Sequence, residues 1–64
     1  MKKVAISSLQ VGDLFKFYPA SHIVYQKYCS GGKFVVYLRL DSSVFKLADN
    51  NKLVYKLKQK IYEL

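Results

Sequence analysis

Ile23-Val24-Tyr25-Gln26-Lys27-Tyr28-Cys29-Ser30-Gly31-Gly32-Lys33-Phe34-Val35-Val36-Tyr37-Leu38-Arg39-Leu40 is the stretch whose reading decides the fold. Both arms are dense in β-branched and aromatic residues, which suit a pleated, half-buried surface. The adjacent glycines between them read as a hairpin turn in which positive φ is expected. In the second arm, alternation sets Phe34, Val36, Leu38 and Leu40 on one face and Val35, Tyr37 and Arg39 on the other, the pattern of a half-buried strand.

The same pattern continues on either side. Lys2 to Ile6 alternates, with Val4 and Ile6 together, and predicts a first strand ending at Ser7-Ser8. Leu9 and Val11 then read as apolar plugs in a loop that tightens at Gly12-Asp13. Leu14 to Tyr18 is a second β run, with Phe15 and Phe17 as core candidates, and Pro19 stops it. Downstream, Asp41-Ser42-Ser43 is a turn, Val44-Phe45-Lys46-Leu47 a short strand, and Asp49-Asn50-Asn51 another turn, this one rich in residues that tolerate αL.

The last segment, Lys52 to Leu64, carries two periods. As a strand, Leu53, Tyr55, Leu57 and Ile61 share a face opposite Lys56, Lys58 and Lys60. As a helix, Leu53, Leu57, Ile61 and Leu64 make a stripe. A strand is expected through about Leu57, with strand, short helix, or a tail disordered until bound all open from Lys58 onward.

Five or six short strands predict an all-β chain, either a small barrel or a rolled antiparallel sheet. A short strand, then Leu9-Gln10-Val11-Gly12-Asp13-Leu14-Phe15, an aromatic strand and a long hairpin form an order that resembles SH3-like small barrels. The resemblance implies that fold and leaves the function open. Lone basic barrels of this size also resemble accessory proteins of bacteria, phages or mobile elements.

Sixty-four residues allow one domain, 1–64, and 52% apolar residues are enough for a folded core. The lone Cys29 forms no internal disulfide and reads as a small buried hydrophobe, which suits a reducing cytoplasm. No apolar run is long enough for a signal peptide or a membrane span. With one His, one Cys and four carboxylates, the chain is poor in the groups that catalysis and zinc binding require. If Ile23 to Cys29 is one strand, His22 and Cys29 stand about 23 Å apart at ~3.3 Å per residue. An enzyme is not expected, and neither is a cofactor or a metal.

A net charge of +7 favours anionic partners, although abundant Lys also follows from A·T-rich coding alone. The densest basic stretch is Lys52, Lys56, Lys58 and Lys60. As a ladder it could track phosphates, and four to six contacts would give a log–log salt slope of roughly −4 to −5. It could equally protect a sheet edge from pairing. Tyr25, Tyr28 and Tyr37 interleave with Lys27 and Arg39, as do Tyr18 and Lys16, and exposed Tyr beside a cation can stack on an unpaired base or anchor a protein interface. Arg39 is the only Arg, so phosphate contact is expected to outweigh base-edge readout. The chain is therefore expected to be a binding module for nucleic acid or, alternatively, a protein-interaction module; an unpaired strand would also permit a homodimer.

Overall fold

A computed structural model of the chain describes residues 2–58. Its six strands are β1 (Lys3–Ala5), β2 (Leu14–Lys16), β3 (Tyr25–Ser30), β4 (Phe34–Arg39), β5 (Val44–Asp49) and β6 (Leu53–Lys56). All pairings are antiparallel, in the order β1-β6-β2-β3-β4-β5, and the sheet curls into a half-barrel. The expectation of an all-β rolled antiparallel sheet is met. Among the described residues closure is not: β1 and β5 are the two ends of their strand order. No helix among the described residues is long and apolar enough to cross a membrane. The strand-or-helix alternative from Lys58 onward falls almost wholly on 59–64, outside the described residues; Lys58 itself is a bend.

The hairpin forms where the sequence places it, with Gly31 N–H donating to Phe34 O at 2.7 Å. Neither of its glycines takes a left-handed φ, contrary to expectation; that conformation occurs at Gly12 (φ 97°) and at Ser43 (φ 54°). Gly31 is instead favoured by a close approach, since a Cβ there would stand 3.3 Å from Phe34 O. A register shift between Lys27 and Cys29 leaves Tyr28 bulged out of the β3–β4 ladder. A bulge of this kind turns an extra side chain outward, and the Tyr28 ring lies against Phe45 with centroids 4.8 Å apart.

The core contains Ile6, Leu9, Phe15, Val35, Tyr37 and Val54, with Val4, Phe17, Tyr25 and Ala48 packed against it. Phe15, Phe17, Tyr25 and Tyr37 form a ring cluster with centroids 4.9–5.7 Å apart, mostly edge-to-face. Each such pair contributes about 0.5–1.5 kcal/mol beyond the area it buries. In β4 it is therefore the Val35 and Tyr37 face that turns inward. Phe34, at the start of the opposite face, is exposed, as are Phe45 and Leu47 on β5.

Three expected burials are reversed. Leu9 plugs the core but Val11 is exposed, because the first strand ends early in a 3-10 turn at Ile6–Ser8 and only Ile6 and Leu9 are directed inward. Cys29 is exposed, since the bulge displaces it from the buried side of β3. In β6 the buried residue is Val54, paired with Val4, whereas Leu53 on the face expected to be apolar is exposed.

Candidate functional site

The expected basic residues go to very different places. Lys27 lies opposite Tyr37 and so faces the core. Only 3% exposed, its ammonium donates to Leu9 O at 2.6 Å and to Ser7 O at 3.2 Å. The strand hydrogen bonds continue beside it, with Gly12 N–H donating to Lys27 O at 2.8 Å and Lys27 N–H to Asp13 O at 3.0 Å. Lys27 therefore staples the first loop from inside and is not presented to a partner, which corrects its placement among the binding residues.

Lys56 shares the Val54 side of β6 and lies 3.6 Å from the buried carboxylate of Asp13. That carboxylate also accepts from Gln10 N–H at 2.9 Å. Arg39 is held by a two-pronged pair with Asp41, at 2.6 and 3.1 Å. The side-chain hydrogen bond raises the Arg39 pKa and lowers that of Asp41. An incoming phosphate would have to compete with that carboxylate. The strand ends at Lys56, so the ladder Lys56, Lys58, Lys60 does not form over the described residues, and Lys60 lies outside them.

The tyrosines divide in the same way. Tyr25 and Tyr37 belong to the ring cluster, whereas Tyr28 is on the outer face against Phe45. Burial, aided by nearby Tyr25, pushes the Tyr37 hydroxyl above its ordinary value. A neutral, buried ring of this kind is a floor, and its face is committed to packing.

What does come together is a cleft of about 630 Å³, lined by Lys3, Phe17, Tyr18, Tyr37, Asn51, Lys52 and Leu53. Four parts of the chain build it: β1, the residues directly after β2, the β5–β6 turn with the start of β6, and β4, which supplies Tyr37. Tyr18 is fixed by a turn in which Ser21 N–H donates to Tyr18 O at 3.1 Å and Pro19 follows it directly. Proline at that position sets the backbone for the turn. Lys52 is fixed at both backbone groups: its N–H donates to Asp49 O at 2.9 Å, and its O accepts from Ile6 N–H at 2.8 Å.

The Lys52 ammonium lies 5.6 Å from the Phe17 ring centroid, and the Lys3 ammonium lies 5.6 Å from that of Tyr55. Both are within the range of cation–π attraction. The rings thus hold two ammonium groups near an aromatic cleft without neutralising them.

Comparison with protein-family models, with curated proteins and with solved structures finds no match to this chain. The functional reading rests on the cleft.

Of the residues that the sequence put forward for binding, Lys52, Tyr37 and Tyr18 reach it. Lys3, Phe17, Asn51 and Leu53 join them from separate parts of the sequence. A signal for Tyr18 was present: an aromatic directly before the proline that ends a strand has no further strand to pack within. Nothing local marks Lys3, whose place depends on β1 pairing with β6 across fifty residues of chain.

Proposed function

We propose that this protein is a non-enzymatic nucleic-acid-binding module that holds phosphates with Lys3 and Lys52 beside an aromatic cleft. The observation that carries this reading is the convergence of those two lysines with Phe17, Tyr18 and Tyr37 in one cleft. Phosphate charge supplies most of the affinity in such binding, and ring stacking adds about 1–3 kcal/mol per base. The net charge of +7 raises the encounter rate with any polyanion. Lys donors favour contact with the backbone over recognition of base edges.

The test is fluorescence anisotropy of labelled DNA and RNA across ~50 to 200 mM salt. The parent should bind more tightly than about 100 μM at the low end, the weak limit of non-specific binding, and should lose affinity steeply with salt. Replacing Lys3 and Lys52 by Gln should make the log–log slope shallower by roughly 1.4–1.8, as expected for two lost phosphate contacts. Weaker binding than that limit at low salt overturns the reading.

A second reading, a protein-interaction module, is favoured by a separate observation. Tyr28, Phe34, Phe45 and Leu47 are exposed apolar groups on the β3–β5 part of the sheet, beside an edge of β5 that is unpaired among the described residues. Contiguous apolar surface and a free edge are both features by which proteins recruit partners. If nucleic acid fails to bind, retention of a stoichiometric protein partner that is lost on Phe45→Ser with Leu47→Ser would establish this reading instead.

A further inference from the structure

We infer that the cleft takes an unpaired nucleotide of a single strand, with its base laid on Tyr18 and its flanking phosphates reached by Lys3 and Lys52. This rests on the nucleic-acid reading above and narrows it to one substrate class.

The argument begins with the availability of the rings. Phe17 and Tyr37 pack against each other and against Phe15 and Tyr25, so they offer edges and a floor. Tyr18 is different: it is 72% exposed, and it makes no ring contact among the described residues. Its backbone is nonetheless held by the Ser21 hydrogen bond, so the ring is presented from a fixed point. A flat, accessible aromatic on a fixed backbone is the stacking element that single-strand binders use.

Size and charge agree with that assignment. At about 630 Å³ the cleft is within the range of about 300–1,000 Å³ typical of sites for small organic groups, which accommodates a nucleotide. The two ammonium groups lie over different rings, Tyr55 and Phe17, and so offer two separate single charges and not one clustered charge. The chain has no glycine-rich phosphate loop with a following helix of the kind that cradles the clustered phosphates of a free nucleoside triphosphate. A duplex, finally, covers both faces of each base with its neighbours, so Tyr18 could engage one only after unstacking.

The test uses the full chain, a labelled oligodeoxythymidylate, the duplex it forms with its complement, and adenosine monophosphate as competitor. The single strand should bind at least about tenfold more tightly than the duplex. Tyr18→Ala should weaken single-strand binding by about tenfold, the loss of one stacked base, with the salt slope unchanged. Tyr18→Phe, which keeps the ring, should restore binding. Because Tyr18 is exposed, both variants should keep the parent's melting temperature, which is measured alongside.

Equal binding of single strand and duplex, or a Tyr18→Ala variant that binds like the parent, overturns this inference. If the slope still responds to Lys3 and Lys52 in that case, the nucleic-acid reading stands. Competition by the mononucleotide as effective as that by the strand identifies a free-nucleotide pocket and also overturns it. Absence of binding to both strand and duplex overturns both readings.

Discussion

At the scale of single residues, Lys27 shows how far context overrides type. Its alkyl stem lies in the interior and its ammonium satisfies the carbonyls of Ser7 and Leu9, so the charge is spent on the fold. Lys27→Met keeps the stem and removes the donor. Leaving the buried Leu9 carbonyl without this donor should cost about 1–3 kcal/mol, read from urea denaturation, while the salt slope of nucleic-acid binding stays as in the parent. A stable variant with a shallower slope would instead place Lys27 at the binding surface. Nothing in Gln26-Lys27-Tyr28 announces this role, because alternation identifies Lys27 with one face but not with the inside. Lys56 poses the same problem: it follows buried Val54 at strand spacing and meets Asp13 from a distant loop.

At the scale of elements, the turns separate composition from conformation. Gly12 has φ 97° and Gly32 has no left-handed φ and open space around its Cβ position. Gly12→Ala should therefore destabilise by more than about 1 kcal/mol, and Gly32→Ala should stabilise by about 0.4–1 kcal/mol by restricting the unfolded chain. Urea midpoints of the two variants check both signs, and equal shifts would contradict the turn geometry. The hairpin was legible because turn chemistry and β-rich arms are local. Which side of β4 is buried was not, because both of its faces carry large apolar groups. The choice falls to the neighbours: Tyr37 meets Phe15, Phe17 and Tyr25, whereas Val36 and Leu38 pair with exposed Leu47 and Phe45.

At the scale of the whole molecule, charge and surface dominate. Eleven basic residues against four acidic ones leave the chain self-repelling, with two side-chain ion pairs among the described residues, Arg39–Asp41 and Lys56–Asp13. Salt should consequently stabilise the fold, since the Debye length falls from about 10 Å at 0.1 M to about 3 Å at 1 M. The melting temperature should rise between those conditions with sodium chloride, and a fall would show that the native ion pairs outweigh the repulsion. The same screening that raises stability must weaken polyanion binding. Opposite trends in the two measurements would therefore distinguish a charged binding site from a solubilising surface.

The sequence by itself determined the class of fold, the hairpin about Gly31-Gly32, the antiparallel strand pattern and the excess of positive charge. Each of these depends on residues close together in the chain or on composition alone. Only the tertiary structure decided which faces are buried, that Lys27 is interior, that β1 and β5 are the ends of the strand order among the described residues, and that Lys3, Tyr18 and Lys52 share a cleft. Those outcomes depend on long-range pairing: β6 lies between β1 and β2, bringing the first strand and the β5–β6 turn beside the end of β2. A periodicity read along one strand carries no information about which distant strand will lie next to it.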